Sequence, residues 1–185
     1  MTLTKTPICD FGKKADPFKL LSTDNKQIEL NNIRGEKGTL IMFICNHCPY
    51  VKAVIKDIVD DCRELEKIGI KSVAICSNDV KSYPEDSFEN MIKFSKNNNF
   101  HFPYLIDESQ SVAKTYDAVC TPDFFGYNDK LELQYRGRIR ELKDLKPIRD
   151  GESDLFTAMK QISETGNGPK DQIPSMGCNI KWFNS

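Results

Sequence analysis

Long apolar runs are missing from this sequence. No stretch approaches the roughly 18 consecutive apolar residues that a membrane span requires, and the segment Met1–Lys14 lacks the apolar centre of a secretion signal. These absences argue against a membrane protein or a membrane partner, and they predict a cytoplasmic location.

Charge of one sign is also not concentrated anywhere. The chain has 26 basic and 27 acidic residues, which gives a net charge of -1. The most basic stretch, Arg136–Arg149, is interrupted by Glu141 and Asp144, so we predict that it is ordinary solvated surface. Without a broad basic surface, no nucleic-acid partner is expected.

Histidine is scarce and a second C-x-x-C motif is missing, whereas seven cysteines are present. Structural zinc sites of the C-x-x-C type usually need two such motifs, so the missing second motif argues against one. An odd number of cysteines in a reducing compartment argues against a framework of structural disulfides. We therefore expect most of these residues to be thiols, a few of them catalytic.

The apolar pattern predicts strands that alternate with helices in the first half of the chain and a hairpin towards its end. The predicted strands are Phe18–Leu21, Gln27–Leu30, Gly38–Ile44, Ile70–Ser77, Phe102–Ile106, Thr121–Tyr127 and Leu131–Gly137, and the predicted helices begin at Pro49, Glu85, Glu108 and Ser153. This order indicates a single α/β domain, residues 1–185, with a mixed central sheet flanked by helices and an N-terminal hairpin. Residues 166–185 are predicted to form an irregular tail that buries Ile180, Trp182 and Phe183.

The motif Cys45-Asn46-His47-Cys48 lies between a predicted buried strand and the helix that begins at Pro49. Unpaired N–H groups and the helix dipole stabilise a thiolate at such a position. We expect Cys45 to be the more exposed sulfur and the nucleophile, Cys48 to resolve mixed disulfides, and His47 to lower the pKa of the attacking thiol.

Two other interpretations of these cysteines remain open. In the first, Cys45 and Cys48 are two small buried side chains. In the second, they form a site for zinc or copper that His47 or His101 completes. His101, however, lies between Phe100 and Phe102 and is more typical of a structural histidine.

The segment that holds Cys45 and Cys48 resembles the active site of the thioredoxin superfamily, and Cys120-Thr121-Pro122-Asp123-Phe124-Phe125 is similar to the Thr-Pro that begins a later strand there. Together with Gly177-Cys178-Asn179-Ile180-Lys181-Trp182, these motifs resemble the peroxiredoxin-like branch of the alkyl hydroperoxide reductase/thiol-specific antioxidant family. The resemblance implies a thioredoxin-like fold. It also implies a cis Pro122 facing the reactive pair, and a Thr121 whose backbone pairs with a bound peptide.

The chain departs from this family at several positions. If Cys48 aligns with the peroxidatic cysteine, Cys45 replaces the usual threonine and Ile41 the usual proline, which weakens a peroxidase interpretation. Ile44 replaces the tryptophan of thioredoxin, and no acidic residue lies within Thr39–Ile44 to transfer a proton.

The other cysteines are interpreted by position. Cys120 should lie near the active pair and is a possible auxiliary thiol. Cys178 is a packed tail residue or a distant resolving thiol. Cys62 and Cys76 fall on apolar positions and are predicted to be core residues, and Cys9 carries no signal.

The sequence therefore predicts a thiol–disulfide oxidoreductase that acts on protein or small-molecule thiols and disulfides. Its electrons reside on sulfur, so no organic cofactor and no metal is expected. A thiol-dependent peroxidase and a metal-binding protein are the alternatives, and the oligomeric state is not predicted.

Overall fold

The computed structural model describes residues 2–183. Its strands are β1 (Leu3–Lys5), β2 (Lys19–Ser22), β3 (Gln27–Glu29), β4 (Gly38–Phe43), β5 (Ile70–Cys76), β6 (Tyr104–Ile106), β7 (Cys120–Thr121), β8 (Asp123–Asn128), β9 (Leu133–Tyr135), β10 (Leu142–Lys143), β11 (Lys146–Pro147) and β12 (Met176–Asn179). Its α-helices are α1 (Pro49–Lys67), α2 (Phe88–Asn97), α3 (Ser111–Thr115) and α4 (Asp154–Thr165), and two short 3₁₀ helices cover Leu30–Ile33 and Pro84–Asp86.

The central sheet has seven strands in the order β3-β2-β6-β5-β4-β8-β9. β4 pairs in parallel with β5, and β5 with β6, whereas β8 runs antiparallel to β4. The mixed sheet and the N-terminal hairpin of β2 and β3 confirm the predicted architecture.

Strand β4 is apolar throughout because both of its faces are covered. Leu40 and Met42 pack into one core cluster with α1 and α4, whereas Ile41 and Phe43 pack into a second cluster with α3. Alternate side chains of a strand point to opposite faces, so a central strand between two layers needs apolar residues at every position.

Helix α1 begins where the sequence predicted. Pro49 is its first residue, where a missing N–H is harmless, and Cys48 is its N-cap with extended backbone angles. Helix α4 also begins as predicted, because the Ser153 hydroxyl accepts a hydrogen bond from the Phe156 N–H at 2.8 Å. No helix within residues 2–183 is long and apolar enough to cross a membrane.

The prediction of an irregular tail was wrong in part. Residues 176–179 form β12, which lies between β1 and β7 in a second, three-stranded sheet. Ile180 is buried as expected, but Trp182 and Phe183 are 37% and 43% exposed. Residues 184 and 185 lie outside the described part of the chain.

The prediction of solvated surface at Arg136 was also wrong. Its guanidinium is buried, donates to the Asp123 carboxylate at 3.0 Å and lies 4.4 Å from the centre of the Phe125 ring. Asp123 is the first residue of β8, so this ion pair anchors the strand directly after Pro122.

Candidate active site

Cys45 and Cys48 lie at the edge of the sheet where β4 ends and α1 begins. Both residues are buried, since Cys45 is 1% and Cys48 0% exposed, so exposure does not decide which sulfur is the nucleophile. Cys45 follows β4 directly and is part of the core cluster that also contains Cys48. No disulfide bond is formed within residues 2–183.

Thr121 contacts both sulfurs of the pair. Its hydroxyl lies 3.4 Å from Cys45 Sγ, and its carbonyl oxygen lies 3.2 Å from Cys48 Sγ and accepts the S–H of the protonated thiol. The peptide bond between Thr121 and Pro122 is cis, as the resemblance implied. The predicted residues Cys45, Cys48, Thr121 and Pro122 therefore meet in one place.

The thiolate is favoured on Cys48 rather than on Cys45. A hydrogen bond from Cys45, and further ones from the Thr121 side chain and the backbones of Val51 and Cys178, outweigh burial and lower the pKa of Cys48 to about 5. The same hydrogen bond to Cys48, burial and the negative charge of Asp86 raise the pKa of the Cys45 thiol. A thiolate at the N-cap of a helix is what the exposed N–H groups of the first turn stabilise.

His47 is held by a carboxylate that the sequence analysis missed. Its Nδ1 lies 2.7 Å from Asp86 Oδ2, and its ring stacks on Tyr83 with 5.6 Å between ring centres. The hydrogen bond to Asp86 raises the pKa of His47 despite partial burial, and the negative charge of Cys48 raises it further. Asp86 and Cys48 therefore both shift the equilibrium of His47 towards its protonated form.

Asp86 is itself fully buried and receives several hydrogen bonds. The backbone N–H of Asn46 donates to Oδ1 at 2.8 Å, and the side-chain amide of Asn78 donates to Oδ2 at 2.7 Å. Burial alone would raise the pKa of Asp86, but the hydrogen bonds from His47, Asn78 and Asn46 hold it below its ordinary value.

The sequence analysis placed Asp86 on an exposed helix, whereas it ends the 3₁₀ helix Pro84–Asp86 that precedes α2. A usable signal was present. Neighbouring parallel strands end at the same edge of a sheet, so the segment after β5 had to lie against the residues that follow β4. Thr39–Ile44 contains no acidic residue, but Asp86 places a carboxylate next to the pair from the segment after β5.

Cys45, His47 and Asp86 also form a group that could hold a metal ion, since one ligand atom of each lies within 4.8 Å of the others. His101 is not part of this group. In the structure His47 and Asp86 satisfy each other by a hydrogen bond, so an ion would have to replace that bond.

The remaining cysteines divide into core residues and neighbours of the pair. Cys62 and Cys76 are fully buried as predicted, and burial raises the pKa of each to about 12. Cys120 is also buried, and its sulfur points to the Pro122 carbonyl oxygen at 3.6 Å. Cys178 lies on β12, directly opposite Thr121.

A groove lies on the side of Tyr50 and Pro122, the neighbours in sequence of Cys48 and Thr121. It has a volume of about 280 Å³ and is lined mainly by apolar side chains together with a few charged ones. Neither Cys45 nor Cys48 lines it. The groove offers room for a small ligand next to the segments that carry the pair.

Comparison with known proteins identifies a family and several similar structures. The profile of the AhpC/TSA family matches residues 11–142, and no curated protein matches the chain. An uncharacterized conserved protein from Geobacillus kaustophilus is 40% identical with a TM-score of 0.94, over 100% of this chain and 98% of that one. A hypothetical protein from Sinorhizobium meliloti 1021 is 33% identical with a TM-score of 0.89, over 98% of both chains.

A more distant likeness concerns the fold alone. The thioredoxin domain of a thiol-disulfide oxidoreductase from Bacteroides vulgatus is 12% identical with a TM-score of 0.58, over 68% of this chain and 86% of that one. The thioredoxin-like fold predicted from the sequence is thereby confirmed.

Proposed function

Because the chain belongs to the AhpC/TSA family, we propose that it is a thiol–disulfide oxidoreductase whose reactive pair is Cys45 and Cys48. The observation that carries this proposal is the site at the start of α1, where Thr121 contacts both sulfurs and the pKa of Cys48 is lowered to about 5. Family membership and thioredoxin-like neighbours support thiol redox chemistry in general, and the proximity of two cysteines to Thr121 supports disulfide exchange in particular.

We assign the roles of the two cysteines in the reverse of the order that the motif alone suggested. The Cys48 thiolate attacks a disulfide R–S–S–R, forms a mixed disulfide and releases R–S⁻. Cys45 then loses its proton and attacks Cys48, which releases the second R–S⁻ and leaves a Cys45–Cys48 disulfide. His47, held by Asp86, stabilises the thiolate and is the nearest group placed to protonate a leaving thiolate.

The substrate class follows from the burial of the pair. Neither sulfur is more than 1% exposed, so a large protein partner cannot reach them without displacing neighbouring segments. The groove lined by Tyr50 and Pro122 has the size of a small ligand, so a small disulfide needs less displacement of these segments than a folded protein does. We therefore infer that small-molecule disulfides are favoured over folded proteins.

The test uses 4,4′-dithiodipyridine, a small disulfide, at pH 6, where a thiol with a pKa of about 5 is ionised and ordinary thiols are not. Cys45→Ser should release one fast equivalent of thiopyridone, and Cys48→Ser should release none. A fast equivalent that persists in Cys48→Ser and is lost in Cys45→Ser would overturn our assignment of roles. Failure of the unmodified protein to form a Cys45–Cys48 disulfide would overturn the function itself.

A thiol-dependent peroxidase is a second candidate. Its support is the ionised Cys48 at the start of α1, because a peroxidase also needs a thiolate that attacks the peroxide oxygen and releases an alcohol or water. Cys45 in place of a threonine favours slow turnover. Consumption of hydrogen peroxide much faster than exchange with a small disulfide would favour this candidate.

A metal carrier is the third candidate, supported by the grouping of Cys45, His47 and Asp86. Titration of the reduced protein with zinc or copper(I) tests it, since a carrier binds one ion tightly and releases it when the thiols are oxidised. Tight binding without exchange activity would favour the carrier.

A further inference from the structure

Strand β12 brings a third cysteine to the reactive pair. In the antiparallel register of β12 and β7, Cys178 is the partner of Thr121, whose hydroxyl and carbonyl contact the two active-site sulfurs. On its other side Cys178 is the partner of Leu3 in β1. Cys178 is therefore fixed from both sides and only 4% exposed.

The approach of β12 to β7 is unusually close. A Cβ atom at Gly177 would lie 2.0 Å from the Thr121 carbonyl oxygen and 2.7 Å from its carbonyl carbon. Real Cβ atoms do not come so near to backbone atoms, so only glycine fits here. The Ser175 hydroxyl adds a hydrogen bond of 2.8 Å to the Pro122 carbonyl oxygen.

This close approach puts Cys178 on the strand next to Thr121, whose carbonyl oxygen lies 3.2 Å from Cys48 Sγ. The effect of each of these two cysteines on the pKa of the other agrees with that proximity. Cys120, the neighbour of Cys178 across the sheet, differs because its sulfur points to the Pro122 carbonyl.

We propose that Cys178 is a third redox-active cysteine, which attacks Cys48 and carries the disulfide onwards as Cys48–Cys178. This proposal rests on the proposed disulfide chemistry of Cys45 and Cys48. In the oxidised protein the Cys178 thiolate forms a bond to Cys48 Sγ, the Cys45–Cys48 bond breaks, and Cys45 leaves as a thiolate that takes up the proton lost by Cys178. The step is an exchange within the chain and needs no external oxidant.

Charge explains why Cys178 would act only after Cys48 has reacted. Burial, followed by the hydrogen bond and charge of Cys48, raises the pKa of Cys178 to about 11 in the reduced protein. Once Cys48 is part of a disulfide its negative charge is gone, and two of these three causes are removed. Cys178 then ionises more readily and faces an electrophilic sulfur.

The same step resolves a mixed disulfide when Cys45 is absent, and this makes it measurable. In a Cys45→Ser protein labelled at Cys48 with 4,4′-dithiodipyridine at pH 6, a shift to pH 8 should let Cys178 displace the label. The protein then releases two equivalents of thiopyridone in total, whereas Cys45→Ser/Cys178→Ser releases one. Half-buried Cys9 is replaced by serine in every variant to remove its background reaction.

Peptide mapping identifies the bond directly. Trypsin cuts after Lys37, Lys52, Lys170 and Lys181, so a Cys48–Cys178 disulfide joins the peptides of residues 38–52 and 171–181. The matched control is Cys45→Ser/Cys120→Ser, which changes the neighbouring thiol on β7 and should still release two equivalents and give the linked peptides.

The outcomes separate this proposal from the proposed function. A first equivalent without a second, and without linked peptides, would overturn the role of Cys178 and leave the reactivity of Cys48 standing. Loss of the second equivalent in the Cys120 control rather than in the Cys178 variant would assign the third thiol to Cys120 and overturn ours. Absence of the first equivalent in Cys45→Ser would overturn both proposals.

Discussion

Replacing Asp86 with asparagine should lower the pKa of His47 and so weaken the positive charge beside the thiolate. The asparagine has nearly the same shape, and its side-chain oxygen still accepts the Asn46 N–H that now donates to Asp86 Oδ1 at 2.8 Å. It loses the charge that holds His47 Nδ1 at 2.7 Å. The substitution therefore tests electrostatics with little change in packing.

The size of the effect follows from the hydrogen bond that is lost. A hydrogen bond to a charged group contributes about 1.5–3 kcal/mol, and one pKa unit corresponds to about 1.4 kcal/mol. Asp86→Asn should therefore cost the imidazolium form about 1.5–3 kcal/mol of stabilisation and lower the pKa of His47. The pKa of Cys45 should fall as well, because the negative charge of Asp86 raises it.

The assay is an NMR titration of the histidine ring protons, which is simple because the chain has two histidines. His101 is exposed and serves as the internal reference for the assignment of the ring signals. Asp79→Asn is the matched control, since Asp79 is a loop carboxylate that accepts hydrogen bonds from Lys81 and Ser82. An unchanged or higher midpoint for His47 in Asp86→Asn would refute the reasoning.

The interaction of His47 with Asp86 should contribute to the free energy of unfolding in a way that depends on pH. Because the pKa of folded His47 lies above its ordinary 6.5, the folded protein retains a proton that the unfolded chain releases. The stabilisation is complete below pH 6.5 and is lost as the pH rises through the folded pKa. The Cys48 thiol, with its pKa lowered to about 5, contributes the opposite trend in both proteins. The prediction is therefore tested on the difference, and the excess free energy of unfolding of the unmodified protein over Asp86→Asn in urea should shrink across this range.

Two further predictions concern the thiolate and the buried ion pair. Cys45→Ala removes the hydrogen bond that contributes most to the low pKa of Cys48. The thiolate absorbance near 240 nm should therefore titrate about 1–2 pH units higher than in the unmodified protein. An unchanged midpoint would contradict this prediction. Arg136→Met leaves the Asp123 carboxylate buried without its partner and should lower the free energy of unfolding by about 3–5 kcal/mol, measured by urea denaturation. The double variant with Asp123→Asn should recover part of the loss, and a loss below about 1 kcal/mol in the single variant would contradict the assigned role of the pair.

The location of the reactive pair could be read from the sequence because its signals are local. An apolar strand, a C-x-x-C motif and a proline at the first helical position lie within residues 38–49, and each depends on its immediate neighbours. The Thr121–Pro122 segment was identified only by resemblance. Nothing in residues 115–125 alone indicates that this segment packs against Cys45 and Cys48.

The chemistry of the pair was decided by tertiary structure. Asp86 reaches His47 because β4 and β5 end at the same edge of the sheet, and Cys178 reaches Cys48 because β12 joins β7. Both contacts join residues that are far apart in the chain. Strand β12 is also only four residues long, and its sequence is too short and too mixed for a periodic pattern to predict its pairing.

The ionisation of Cys45 and Cys48 likewise depends partly on the local sequence and partly on the tertiary structure. The sequence determined that two thiols lie at the start of a helix, where a thiolate is stabilised. Which thiol ionises depends on the donors and charges around each sulfur, and Thr121, Asp86 and Cys178 come from three other segments. Electrostatic energy acts through space, so the motif predicts the kind of chemistry, and only the folded chain shows on which sulfur the pKa is lowered.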